Sequence, residues 1–364
     1  MCIACQISVN DLDNATEDFA GELIETLNRS TLALGISLGH RTGLFDTMSD
    51  MNRWATSAEI AETAQCHERY VREWLGIMVT GGIVALDSTA QTFFLPEHHA
   101  ALLTRSSVAN NFAKTFQFLA VLAEVETPIV DCFQNGGGVP YEMFTRFHDV
   151  MAEDSDGNVV AALFDTVLPL APGIVEKLER GIDVLDIGCG RGHALTAMAE
   201  RFPDSRFVGR DLCREPIESA QAEVERRGLR NIRFEVADVS KECISNSFDF
   251  VTAFDVIHDQ RDPATVLARV REMLRPGGTF LMQDLQASSE MHENVGHPLG
   301  PFLYTVSTMH CMTVSLAQGG IGLGTVWGEQ LAVQMLGEAG FENVAVQRLD
   351  HDIQNNWYVS QIAG

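Results

Sequence analysis

Between positions 186 and 192 an acid is followed by three alternate glycines, Asp186-Ile187-Gly188-Cys189-Gly190-Arg191-Gly192. A backbone without Cβ atoms can pass close under a ligand, and the helical pattern that follows (Ala194, Leu195, Met198, Ala199) opens with free N–H groups. A dinucleotide cradle would carry its third glycine at position 193, where this chain has His193, so no pyrophosphate clamp is spelled out. Taken alone, such a loop is equally an ordinary tight turn. More acids follow at Asp211 (about 19 residues beyond Gly192), Asp238, Asp255 and Asp259. An acid placed like Asp211 can accept hydrogen bonds from ribose hydroxyls. His258 can exchange a proton near neutral pH, with Asp284 or Asp259 fixing its tautomer.

These residues need a scaffold that delivers them to one place. Strand-like segments fall at 182–187, 206–210, 232–236, 249–254 and 279–284, with helical patterns at 193–201, 215–227 and 263–274. Alternating strands and helices predict an α/β fold, a Rossmann-like doubly wound parallel sheet whose ligand lies beyond the carboxyl ends of the strands. Each acid named above then follows a strand, and four strands in succession end this way. Trp327 and 336–341 read as core, and Val344 to Leu349 as the closing antiparallel part of the sheet. Upstream, Thr56-x-x-Glu59 is a capping-box pattern, a second helix runs from about His67 to Val79, and 83–86 can pair with 92–95. Helix, turn, helix and two-stranded wing make a mainly helical winged-helix layout. The domains are expected at 1–104, at 105–175 as helical linker and lid (Asn135 to Pro140 leading into Tyr141, Phe144 and Phe147), and at 176–364.

With both halves laid out, residues 182–285 resemble a class I S-adenosylmethionine (SAM) methyltransferase, with motif I at Asp186 to Gly192. The whole chain resembles winged-helix small-molecule O-methyltransferases, including a bacterial group of them. The resemblance implies SAM as cofactor, held by Asp186, Gly188, Gly190 and Gly192. It also implies Asp211 and Leu212 at the ribose, Asp238 and Val239 beside adenine, and Phe254 and Asp255 after the fourth strand. Val256-Ile257-His258-Asp259-Gln260-Arg261-Asp262 matches the stretch whose His removes the acceptor proton, which implies His258 as base and Asp284 as its orienting acid. The family's Trp after His-Asp is Gln260 here, and its second orienting acid, expected near 325–327, is missing; Glu329 is out of register. Tyr304, His310 and Cys311 are candidates for the acceptor pocket.

The formal net charge of −25 over 364 residues repels phosphodiesters and anionic lipid, so neither nucleic acid nor membrane is an expected partner. The would-be recognition helix offsets Arg69 and Arg72 with Glu68 and Glu73, so the winged helix reads as a homodimerisation module. The longest apolar run, Val159 to Val175, is broken by Asp165, Pro169 and Pro172. Without a basic leader, the scattered cysteines read as reduced thiols in a cytoplasmic protein; Cys2-x-x-Cys5 lacks a second pair, and no metal site is expected. Three alternatives stay open: a thiol, thioether or metalloid methyltransferase using Cys311, a SAM-binding regulator without catalysis, and a nicotinamide-dependent oxidoreductase.

Overall fold

The computed structural model describes residues 9–362, leaving the Cys2–Cys5 pair outside the described residues. The chain divides into two compact units, Met1–Ala120 and Val121–Gly364. The division at 120 does not coincide with boundaries at 104 and 175: most of the expected linker belongs to the second unit, because its helices pack there.

In the first unit a long helix, α1 (Val9–Arg41), is followed by α2 (Leu44–Met51), α3 (Ser57–Thr63) and α4 (Glu68–Thr80). The short strands β1 (Ala85–Asp87) and β2 (Thr92–Phe94) form the antiparallel wing, and α5 (Glu97–Leu103) follows. The capping box forms: Glu59 N donates to Thr56 Oγ1 at 3.3 Å while Thr56 N donates to the Glu59 carboxylate at 2.8 Å. Gly35 and Gly39 let α1 approach α4, where the Trp74 indole donates to the Gly35 carbonyl at 2.9 Å.

The second unit is built on a seven-stranded sheet. It comprises β3 (Asp183–Ile187), β4 (Arg206–Asp211), β5 (Ile232–Val236), β6 (Phe248–Phe254), β7 (Leu274–Leu285), β8 (Ala345–Leu349) and β9 (Asp352–Gln361), in spatial order β5-β4-β3-β6-β7-β9-β8. The first five are parallel, and β9 runs antiparallel between β7 and β8. Alternate residues feed opposite faces: Phe250, Leu281 and Trp357 pack in one core, Val251, Phe280 and Tyr358 in the other.

Helices α6 (Gln117–Ala123), α7 (Glu126–Asn135), α8 (Phe147–Ser155) and α9 (Ile174–Arg180) precede the sheet, with two π-helical turns at Asp156–Val160 and Leu163–Val167. Crossovers α10 (His193–Arg201), α11 (Arg214–Arg227) and α12 (Pro263–Met273) join the parallel strands; α13 (Gly300–Val306), α14 (Met312–Ala317) and α15 (Gly328–Glu338) follow β7. At the amino ends of the strands Arg275 ties Asp183 (2.8 Å) to Asp249 (2.5 Å). The carboxyl ends are thereby left to other work.

Candidate active site

The glycine loop turns out of β3 with all three glycines in the left-handed region: Gly188 at φ +61°, Gly190 at +51° and Gly192 at +70°. An added Cβ at Gly188 would strike the Val256 side chain and one at Gly192 the Phe234 ring. Only glycine permits both this turn and this packing. Asp211, at the end of β4, closes the loop from the side: its Oδ2 accepts from Gly190 N at 2.9 Å and its Oδ1 from Cys213 N at 2.8 Å. Asp186 is buried behind the loop and accepts from the Thr252 hydroxyl at 2.6 Å.

The loop floors a cleft of about 1050 Å³, open mouth included. Of the residues expected at a cofactor, Asp186, Gly188, Gly190, Gly192, Asp211, Leu212, Val239, Phe254 and Asp255 all line it. Asp238 does not; its carboxylate caps the following turn through Ser240 and pairs with Lys241 at 2.7 Å. The wall opposite the sheet comes from Tyr141, Phe147, His148 and Met151. Tyr141 donates a short hydrogen bond to Asp259, so Asp259 serves this latch and not the His258 tautomer. The preceding loop is seated on α14: Gly138 packs against the backbone at Thr313 and Ala317, and Val139 N donates to Thr313 Oγ1 at 2.8 Å. The aromatics Tyr141 and Phe147 carried a lid signal in the sequence. His148 and Met151 sit on a helix without any motif and carried none.

The cleft is acidic and mostly desolvated. Burial pushes the Asp186 carboxyl up to about 7 against the Thr252 hydrogen bond, with Asp211 adding repulsion. Burial likewise raises Asp211, opposed by the backbone N–H groups of Cys213 and Gly190. It takes Asp255 to about 7 and Asp259 to about 6, in both cases against attraction from His258. The arginines of the lining are engaged elsewhere: Arg210 with Glu235 at 3.0 Å, Arg191 with Asp149 and Glu215 at 2.7 Å each.

Next to the cleft, buried His258 sets its Nδ1 2.9 Å from Asp284 Oδ1. The same oxygen accepts from Leu285 N at 2.8 Å and from the Trp327 indole at 2.9 Å. Burial opposes a charge on His258, but the Asp284 carboxylate and then Cys311 lift its pKa well above the usual imidazole value. Trp327, expected only as core, therefore steadies the acid, and Glu329 points elsewhere, to Arg348 (2.8 Å) and Asn356 (3.2 Å). The 319–324 glycine segment straps the histidine loop: Gly324 N donates to the His258 carbonyl at 3.1 Å and Ile321 N to that of Arg261 at 3.2 Å.

Sequence spacing offered no metal site, yet folding gathers ligand atoms of Asp255, His258 and Asp284 within 4.8 Å of one another. The 2.9 Å contact between His258 and Asp284 is the length of a charge-assisted hydrogen bond. Cys311 is buried against His258. His310 stacks on Phe147 with ring centroids 3.4 Å apart, and burial holds its pKa well below the usual value, with the charges of His258 and His148 adding to this. Tyr304 instead accepts from Asn294 at 3.2 Å. None of Tyr304, His310 and Cys311 lines the cleft.

Residues 30–105 match the Rv2258c-like winged HTH domain and residues 178–320 a methyltransferase domain. Trans-aconitate 2-methyltransferase of Deinococcus radiodurans is 35% identical over 100 residues, 28% of this chain and 36% of that protein. Nocamycin O-methyltransferase of Saccharothrix syringae is 37% identical over 114 residues, 30% of this chain and 41% of that protein. The chain thus spans less than half the length of these curated relatives. The structure of human N-acetylserotonin methyltransferase, solved in complex with SAM, superimposes with a TM-score of 0.67 at 15% identity, covering 100% of both chains. The chain accordingly carries a winged helix-turn-helix domain followed by a methyltransferase domain with a Rossmann-like sheet.

Proposed function

We propose that the protein is a SAM-dependent methyltransferase acting on a small-molecule acceptor, with His258 as general base toward a hydroxyl. The observation that carries this reading is the glycine cradle walled by four acids, Asp186, Asp211, Asp255 and Asp259, with no unpaired cation in its lining. Carboxylates gathered this way, Asp186 and Asp259 buried and Asp211 and Asp255 half-buried, are relieved by a cationic ligand, whereas a pyrophosphate would add repulsion. The residues present fit SAM: Asp211 keeps lone pairs for ribose hydroxyls, and the Cβ-free loop allows close approach. When bound, SAM supplies an electrophilic methyl group on a positively charged sulfur. Asp284 holds the His258 ring with Nδ1–H inward, leaving Nε2 to take the hydroxyl proton as the acceptor oxygen gains the methyl group. Tyr141 and its latch to Asp259 shield the cleft from water.

Binding of nucleic acid is disfavoured by α4 itself, where Arg69 pairs with Glu73 (2.5 Å) and Arg72 with Glu68 (3.1 Å). A homodimer is supported by an apolar stripe on α1: Phe19, Leu23, Ile24, Leu27, Leu34 and Leu38 are all exposed. No helix among the described residues is long and apolar enough to cross a membrane, and the six described cysteines are free thiols, which fits a reducing cytoplasm. Incubation with methyl-labelled SAM and a panel of small hydroxylated acceptors tests the reading. Transfer is expected in the wild type, with His258→Ala retaining SAM binding and losing transfer by about 100-fold or more. Full transfer by His258→Ala would remove the base from the account.

A further inference from the structure

Beyond Phe254 and Asp255 the cleft adjoins a second recess of about 380 Å³, open mouth included. Sheet order fixes its side. Asp211 ends β4, and the strands then run β3, β6, β7, β9, with the recess lying over the last three. It is therefore on the opposite flank from the ribose acid, beside the histidine loop. Its polar lining consists of Asp154, Ser155, Asn158, Asp255, Gln283, Gln354 and Asn355, with no lysine or arginine, and Met151, Val159, Phe254 and Leu285 supply the apolar remainder.

Two acceptor atoms in this lining are buried without a hydrogen-bond partner, Asn355 Oδ1 and Asp255 Oδ1. Asn355 is 4% exposed, and its amide nitrogen donates to both oxygens of Asp352 at 2.9 and 3.0 Å. That pairing fixes the amide orientation, so its oxygen is the atom left over. Asp255 sits in the left-handed region at φ +57°, a strained setting for a side chain other than glycine, and its Oδ1 is 3.8 Å from His258 Nδ1. Unsatisfied acceptors in a wall without cations call for a ligand that brings donors and positive charge.

We propose that this recess anchors the methyl acceptor, and that the acceptor carries an amine, protonated at neutral pH, received by Asn355 Oδ1 and Asp255 while its hydroxyl faces His258. The proposal rests on the methyltransferase reading and adds the class of substrate. The ammonium would also favour the ionised form of Asp255, whose carboxyl burial otherwise lifts to about 7.

The test uses full-length protein loaded with S-adenosylhomocysteine and two probes that differ in the amine, tyramine and 4-ethylphenol, with affinities measured by ligand-observed NMR. Tyramine is expected to bind at least about tenfold more tightly, the scale of a charge-assisted hydrogen bond. In Asn355→Leu that advantage is expected to shrink to about threefold or less, while 4-ethylphenol is unchanged. Equal binding of the two probes, binding of neither, or an advantage that survives Asn355→Leu would overturn the proposal. The wild-type comparison stands even where the variant folds poorly. Binding of S-adenosylhomocysteine is measured first, so failure of the cofactor reading is seen separately from failure of the amine subsite.

Discussion

His258 is held by one oxygen of Asp284 that is itself gripped by the Leu285 amide and the Trp327 indole. The folded pKa of His258 lies above its ordinary value, so the stability that the pair contributes is complete below about pH 6.5 and is lost as pH rises through the folded value. In the proposed role of His258 as base, catalysis runs the opposite way, because a base must be neutral, and turnover is expected to rise with pH over that same range. Asp284→Asn is expected to move the midpoint of the rate profile toward lower pH and to cut turnover by about 10²- to 10⁴-fold. A pH–rate profile of the variant checks this, and an unchanged midpoint would detach Asp284 from the base. At this scale a motif marked Asp186, the glycines and Asp211, and the fold brings them to one cleft. Trp327 was readable only as bulk, since nothing in its neighbours announces a 2.9 Å bond to Asp284. Asp238 was less legible, because an acid after a strand also caps turns, and here it does so with Ser240.

Helices and strands with clear periodicity emerged within a residue or two of their expected bounds, as at β3, β5 and α10. β9 was not foreseen. Its Asn355, Asn356 and Ser360 look like loop residues, yet the strand is buried between β7 and β8, where the Asn355 amide pairs with Asp352 and Asn356 with Arg348 and Glu329. The tertiary setting overrode a weak local preference. The glycine loop offers a test at this scale. Gly190→Ala meets no protein atom within 4 Å and suffers only left-handed strain, about 1–2 kcal/mol, whereas Gly192→Ala adds collision with the Phe234 ring. Thermal melts of the ligand-free protein are expected to show the larger fall in Tm for Gly192→Ala. Equal falls would mean that Phe234 yields without cost.

The chain as a whole joins an acidic enzyme-like unit to a winged helix whose basic residues are neutralised by their own neighbours. Composition argues against a nucleic-acid partner, while the unit boundary at 120 left no mark in the sequence, because it falls within the single helix α6. Leu27 is 64% exposed on the α1 stripe, and Leu27→Asp is expected to convert a dimer to a monomer in light scattering without lowering SAM affinity. A wild-type monomer would remove that role from α1. The most direct measurement of the central claim is calorimetric titration with SAM at pH 6 and pH 8, in the wild type and in Asp211→Ala. Binding at one site is expected, tighter at pH 8 because Asp186 and Asp255, raised to about 7, then carry their charge, and lost in Asp211→Ala. No heat of binding with SAM, or binding of a nicotinamide dinucleotide in its place, would contradict it.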